Sequence, residues 1–487
     1  MNSAVIFLII VLYFGLLFLV AYLTSRRSNS ETFYVGNKQS PWFVVAFGMI
    51  GASLSGVTFM SVPGWVGTTQ FTYMMIVVGY LIGYAVVALV LLPLYYRLNL
   101  TSIYTYLHQR FGFWSYKTGA FFFLLSRAIG ASFRMFIVIN VLQIFIFDAW
   151  NVPFWVTVLL FLVLVIIYTY QGGIKTIVWT DTFQTVFMLL AVVLSIWFIA
   201  KDLNVSILSL IKEVSNSEVS NMVVTDWSAK NFFLKQILSG MFITITMTGL
   251  DQEMMQKNLS CRNLREAQKN MFTFSFILVF VNLMFLFLGA ILLIYSKTKG
   301  ISVPGTTDDL FPTIALNYLT PAAGVVFMIG LVSAAFPSAD GALTSLTTSF
   351  CVDFLGLNNK PNLSEAKKRN IRYIVHFSFA ALLLLIIVIY KAINDQAIIS
   401  KVFTVAGYTY GPLLGLYSFG LFLKRKVNDK FVPLVAVLSP IICYVVNMYS
   451  EVLFNGYKFG FEILILNGAI TFIGLLLISS RAENTVI

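Results

Sequence analysis

Charge is scarce in this chain. Of its 487 residues only 11% are Asp, Glu, Lys or Arg, whereas ordinary soluble proteins carry about a quarter. So few charges cannot cover the surface of a soluble globule of this size, which excludes a soluble enzyme and a disordered chain. There are three cysteines, Cys261, Cys351 and Cys443, and no CxxC pair. A secreted disulfide scaffold and a cysteine metal site are excluded with them. Only two histidines occur, His108 and His376. Both look peripheral, so no His cluster is available for a metal or a proton relay. The chain also lacks an HExxH segment, a DDxxD-type acidic pair and any repeated pore-loop motif, which argues against an intramembrane enzyme and a channel.

Apolar length is abundant. Hydrophobic residues make up 59% of the chain, and many runs exceed the 18 or so residues that cross a bilayer core of about 30 Å. The reading is an all-α polytopic membrane protein with about 13 transmembrane helices: 4–24, 42–67, 71–97, 117–147, 152–171, 177–201, 231–251, 271–296, 321–352, 371–391, 399–422, 431–449 and 460–480. The first run is followed by Arg26 and Arg27 and has no small-residue cleavage site, so it reads as a retained helix and not a signal peptide. With the N-terminus outside, the cytoplasmic segments carry 21 Lys and Arg and the outer segments 9. Basic residues collect on the cytoplasmic side, so the split predicts N-out and C-in, and it accounts for the net charge of +12 without nucleic acid. The longest connection, about 202–230, is too short for a soluble domain, though 205–214 can form a short amphipathic helix.

Polar residues inside the spans mark where chemistry can sit. The second span has Gly48, Gly51, Ala52, Ser53, Ser55 and Gly56 at its centre. Gly weakens a helix interior and Ser competes for backbone hydrogen bonds, so this is either an unwound midpoint with free carbonyls or a small-residue packing face. The ninth span contains Pro337, Ser338, Asp340, Gly341, Thr344 and Ser345. Its proline interrupts the helical bonding at Ser333, and Asp340 is either a cavity-facing functional carboxylate or a solvated one near the span's end. Asp181 opens the sixth span after a tight turn at Gly172–Gly173, as an ion ligand or as a dipole-stabilised N-terminal acid. Arg127 and Arg134 lie two turns apart on one face of the fourth span, with snorkelling a credible fate for Arg127. Asp251 ends the seventh span, and Glu253 onward reads as a solvated helix end. Tyr408 and Tyr410, beside Gly411 and Pro412, read as packing residues at a kink.

The segments SLSGVTFMSVPG (53–64), TSIYTYLHQRFG (101–112), GGIKTIVWTDTFQ (172–184), LDQEMMQKNLSCRNLREAQKN (250–270), SADGALTSLTTSFCVDF (338–354) and GYTYGPLLGL (407–416) resemble the sodium/solute symporter family, in the family's order and over most of the chain. That resemblance implies a LeuT-type fold of five plus five inverted repeats in a single transporter domain. The parts are an extra first helix and loop (1–41), a first repeat (42–201), a second repeat (231–422) and two C-terminal helices (431–480). The broken helices would be the second and seventh spans.

The resemblance also implies site residues. A sodium ion would take carbonyls of Gly51, Leu54 and Ala334 and the hydroxyl of Ser338. The family's second hydroxyl is missing, because its position is Pro337. Asp340, one turn on, either replaces it or builds a second cation or proton site with Asp181 and Gly341. Ser53, Ser55, Thr58, Arg134 and Asp251 would contact the solute. The expected function is a sodium-coupled symporter of the plasma (inner) membrane. It would import a small organic solute, with a tilt toward an anionic sugar such as a sialic acid, by alternating access. Sodium is the coupling ion, no organic cofactor is expected, and the partners are the solute, the ion and the bilayer around a monomer. Proton coupling through Asp340 and Asp181, and a transporter-like membrane sensor, are the alternatives.

Overall fold

The computed structural model describes residues 3–25, 38–360, 362–393 and 398–481. Arg26 and Arg27 lie outside the described residues. In hydrocarbon no water can pair with backbone groups, so each segment satisfies its own as helix. In chain order the helices are α1 (Ser3–Ser25), α2 (Trp42–Thr69), α3 (Tyr73–Val86), α4 (Leu92–Arg97), α5 (Thr105–Arg110), α6 (Phe113–Leu142), α7 (Phe154–Asp202) and α8 (Ile207–Ser215). They continue with α9 (Phe233–Thr244), α10 (Gln252–Leu259), α11 (Leu264–Lys299), α12 (Pro321–Ser349), α13 (Glu365–Ile393), α14 (Ile398–Thr409), α15 (Gly411–Phe422), α16 (Val432–Met448) and α17 (Ile463–Leu477). Among the described residues, 7 stretches are long and apolar enough to cross a membrane, and α9 with α10 forms a further pair bent by 64°. Four shorter apolar helices accompany them.

Helix α7 is assigned as one run of 49 residues, yet the chain turns back within it. Phe161 packs on Phe336, Phe336 on Phe14, and Phe187 on Tyr13, each within 6.0 Å. A straight helix would separate Phe161 from Phe187 by about 39 Å. The chain therefore reverses between them, and α7 holds the fifth and sixth expected spans. Helix α2 and the α3–α4 arm also fold back, since Ser53 and Tyr84 line one cavity.

Polar side chains gather inside, among a large apolar core, and the exterior is apolar. Helix α16 exposes Leu434, Val437, Ile441 and Val445, whereas α12 buries Ser338, Asp340, Thr344, Ser345 and Thr347. Close backbone contact holds the bundle together where lipid gives no hydrophobic drive between helices. At the α3–α9 crossing a Cβ on Gly79 would meet the Met241 nitrogen at 2.8 Å, and one on Gly240 would meet the Ile76 carbonyl carbon at 2.9 Å. Pro337 departs from expectation. Helix α12 runs through it unbroken from 321 to 349, because only the Ser333 carbonyl loses its usual donor. The expected kink at 410–412 is real, with α14 and α15 meeting at Tyr410.

Loops gather at two ends. At one end the Ser40 N–H donates to the Ser260 carbonyl (3.0 Å), Lys38 pairs with Asn99, and Arg110 donates to the Gly420 carbonyl (3.1 Å). There Asp429 caps α6 through Ser115 (2.8 Å), and Arg425–Val427 pairs antiparallel with Ser479–Arg481. At the other end Phe71 N–H meets the Asn221 carbonyl (3.1 Å), Ile398 N–H meets Asp308 (3.0 Å), and Lys299 pairs with Asp202 (2.8 Å).

Candidate functional site

The small-residue centre of α2 is a break. Ser55 has φ 36° and ψ 171°, inside a helix that is otherwise regular from 42 to 69. Such a conformation costs a non-glycine residue about 1–3 kcal/mol and survives only where its surroundings impose it. The surroundings are tight. A Cβ on Gly48 would lie 3.3 Å from Asp181 Cβ, and one on Gly51 would lie 3.5 Å from Pro337 Cγ and 3.4 Å from the Asp181 carbonyl. The first half of α2 is thus wedged between α7 and α12 just before it breaks.

The second break separates α9 from α10, and it handles its freed carbonyls differently. Tyr95 donates to the Gly249 carbonyl (2.8 Å) and Tyr104 to that of Leu250 (2.9 Å). No such hydroxyl reaches the carbonyls of Gly51 or Leu54 among the described residues. On α12, next to the Pro337 ring that lies against Gly51, Ser338 is 1% exposed and its hydroxyl has no hydrogen-bond partner among the described residues. Elsewhere on that helix Thr347 bonds back to Leu343 (2.7 Å). Backbone oxygens at a helix break and a buried unpartnered hydroxyl suit a hard monovalent cation, which takes oxygen ligands.

Above the break lies a cavity lined by Ser53, Ser55 and Thr58 of α2, Tyr80 and Tyr84 of α3, and Arg127 and Arg134 of α6. Thr244, Thr248, Asn282 and Phe403 are among its other lining residues. Of the expected solute contacts, Ser53, Ser55, Thr58 and Arg134 meet here and Asp251 does not. Asp251 caps α10, accepting the N–H groups of Glu253 (2.9 Å) and Met254 (3.2 Å), and it takes the Tyr410 hydroxyl at 2.6 Å. Arg134 makes no ion pair among the described residues, while Arg127 contacts Asp251 (3.9 Å) and pairs closely with Glu253.

The segment from Glu253 onward, expected as a solvated helix end, is interior. Glu253, Gln256, Lys257 and Asn258 are all at most 1% exposed. Lys257 Nζ lies 2.7 Å from Asp181 and 3.4 Å from Glu253. The charges that made the segment look like a loop are partners for one another and for residues far away in sequence. Burying them is tolerable because they are paired. Lys257 accordingly leaves the tally of cytoplasmic basic residues. Arg127 is 4% exposed and ion-paired, so it does not snorkel. His376 is not peripheral. It is 1% exposed, with Nδ1 3.0 Å from the Thr347 hydroxyl and Nε2 3.3 Å from that of Thr169. Asp340 accepts the Gly341 N–H at 2.5 Å, and Glu253 packs directly on Gly341. No group of three or more His, Cys, Asp and Glu suited to a metal occurs among the described residues.

The sequence profile of the Sodium:solute symporter family matches residues 33–430. The chain belongs to this family. It is 24% identical to the sodium/sialic acid symporter NanT of Aliivibrio fischeri over 441 residues, 88% of this chain and 85% of that one. It is 23% identical to the sodium/sialic acid symporter SiaT of Proteus mirabilis, over 87% of each chain. A solved structure of a Na+-coupled sialic acid symporter, substrate-bound and outward-open, superposes with a TM-score of 0.82 at 19% identity, covering 98% of this chain and 99% of that one. The nucleobase-cation-symport-1 transporter Mhp1 in a closed conformation superposes at 0.57 with 14% identity, over 93% of this chain and 94% of that one. The fold is therefore that of the LeuT-type transporters, with the two broken helices at the positions the family resemblance implied.

Proposed function

We propose that this symporter couples sodium entry to the import of a small carboxylated solute, a sialic acid or a sugar acid like it. The observation that carries the reading is the contrast between the two arginines of α6. Arg127 is neutralised by Asp251 and Glu253, and Arg134 faces the cavity with no carboxylate of its own. A guanidinium is a forked donor matched to a carboxylate, and the solute supplies the missing anion. Ser53, Ser55 and Thr58 offer hydroxyls to the same solute, and Asn282, Tyr80 and Tyr84 add an amide and two phenols suited to a polyhydroxylated body. The relatives named for sialic acid point the same way.

Sodium sits at the α2 break, on the carbonyls of Gly51, Leu54 and Ala334 and the hydroxyl of Ser338. It tethers α2 to α12 and so holds the solute hydroxyls of α2 in place. Release of sodium frees α2 to move, and the site opens inward by alternating access. The topology has 13 spans, obtained by separating α2 from α3–α4 and dividing α7. Residues 42–201 and 231–422 form the inverted repeats, 1–41 the extra first helix and loop, and 431–480 the two C-terminal helices. The loop end that carries Arg110, Arg425 and Asp429 is cytoplasmic by the positive-inside rule, which puts the N-terminus outside a plasma (inner) membrane. The carrier works as a monomer.

Thermal stability of the detergent-purified protein tests the reading. A ligand bound only by the folded state raises the melting temperature by mass action. Sodium but not potassium raises it, N-acetylneuraminate raises it further only in sodium, and Ser338→Ala moves the sodium shift to higher sodium concentrations. A shift that follows pH and ignores sodium would replace sodium with protons, and ligand binding without uptake in liposomes would favour a sensor.

A further inference from the structure

A second cavity lies outward of the central one, at the loop end that carries the Phe71–Asn221 contact. It encloses about 1320 Å³ of empty space, against about 720 Å³ for the central cavity. Its walls come from the outer half of α2, the starts of α3 and α9, the α16–α17 loop and one face of α14. Helix α14 is the partition between the two. Ser400, Thr404 and Tyr408, spaced by four and so on one face, line the outer cavity, while Ile399, Val402 and Phe403 line the central one. Tyr73 lines both. In the orientation proposed above, a solute arriving from outside meets this cavity first.

Two polar groups on its wall are left open. Gln236 is 8% exposed, and its Oε1 has no hydrogen-bond partner among the described residues. A buried polar atom without a partner is costly, and a ligand hydroxyl would supply the missing donor. Opposite in role, the Tyr408 hydroxyl accepts from the Asn447 amide (2.9 Å), and its own proton has no acceptor among the described residues. Trp65 and Phe461, with ring centroids 6.2 Å apart, add apolar surface for the C–H face of a sugar ring.

Charge sets the sign of the ligand. Lys230 is the one charged side chain among the described lining residues, and no carboxylate stands among them. A neighbouring outer cavity, between α6, α13 and the 306–309 loop, is the opposite case, with Asp308 and Asp309 against Lys391. An anionic solute is drawn to the first mouth and disfavoured at the second.

We propose that the outer cavity is a second binding site for the carboxylated solute, filled from outside before the solute passes α14 to the central cavity. This rests on the sugar-acid reading above. Gln236 accepts from a solute hydroxyl, Tyr408 donates to a solute oxygen, and Lys230 meets the carboxylate. The outer site is the weaker of the two, because its cation is an exposed lysine.

Equilibrium binding of labelled N-acetylneuraminate to the purified full chain in saturating sodium is the test. The wild type binds two molecules per chain, in two phases. Gln236→Leu and Tyr408→Phe each weaken the second phase about twofold to tenfold, and Lys230→Gln weakens it by up to about fivefold. None of the three moves the first phase, which shifts in Arg134→Gln. Thr404→Trp fills the outer cavity and removes the second phase. One molecule per chain on the wild type, with a phase that shifts in Arg134→Gln, would overturn the proposal and leave the sugar-acid reading standing. A second phase that Gln236→Leu and Thr404→Trp both leave unmoved would do the same. No binding of N-acetylneuraminate or a related sugar acid at all would overturn the sugar-acid reading, and this proposal with it. Should Thr404→Trp fail to fold, the wild-type count and the Gln236→Leu phase still decide.

Discussion

Two arginines on one helix face should fail in opposite ways. In Arg134→Gln the cavity loses its one guanidinium without an ion pair, and no protein carboxylate is left stranded. Each hydrogen bond to a charged group is worth about 1.5–3 kcal/mol, so the solute concentration for half-maximal uptake should rise roughly tenfold to more than a hundredfold. The melting temperature without solute should barely move. Arg134→Lys keeps the charge but loses the fork, and should fall between. Arg127→Gln removes the partner of buried Glu253 and a contact of Asp251. Breaking one side of a buried pair costs about 3–5 kcal/mol, so this variant should melt well below the wild type. The assay is uptake of labelled N-acetylneuraminate into sodium-gradient proteoliposomes, paired with melting curves in detergent. An Arg134→Gln carrier with unchanged half-saturation, or an Arg127→Gln carrier with an unchanged melting temperature, would refute the reasoning.

Three further outcomes follow from the same geometry. Ser338→Ala removes one oxygen from the sodium site, worth about 1–2 kcal/mol, and should raise the half-saturating sodium concentration roughly fivefold to thirtyfold in the uptake assay. Gly341→Ala places a methyl where Glu253 packs and should cost about 1–3 kcal/mol as overpacking, read as a lower melting temperature at every sodium concentration. An inside-negative potential imposed with valinomycin and potassium should speed initial uptake if more than one sodium ion accompanies a monocarboxylate, and should leave it unchanged if one does.

Much of this molecule was legible in its sequence, for identifiable reasons. The break at Ser55 was foreshadowed because Gly, Ala and Ser concentrate within a few positions of an apolar run, a local signal of local instability. The amphipathic stretch 205–214 became α8, with Leu210 and Val214 as its buried face, again from a local period. The misreading of Glu253–Asn258 has the opposite cause. A run of polar and charged residues after an apolar span looks like a loop, and only distant partners on α6 and α7 convert it into an interior helix. Asn282 was missed at the cavity because it stands alone in a long apolar stretch, and Tyr84 because it is one of several tyrosines in its span, where nothing local separates a lining residue from a packed one. His376 was misjudged likewise, since its partners Thr169 and Thr347 lie on other helices. Pro337 was expected to interrupt its helix, but one lost backbone hydrogen bond is small against the packing of α12 on α2 and α7.

The most direct test of the account is accumulation against a gradient. Purified protein in liposomes, given an inward sodium gradient, should concentrate labelled N-acetylneuraminate or a related sugar acid above its external level. The accumulated label should leak out when a sodium ionophore collapses the gradient. Uptake that proceeds equally in potassium, or that follows an imposed pH gradient in the absence of sodium, would contradict it.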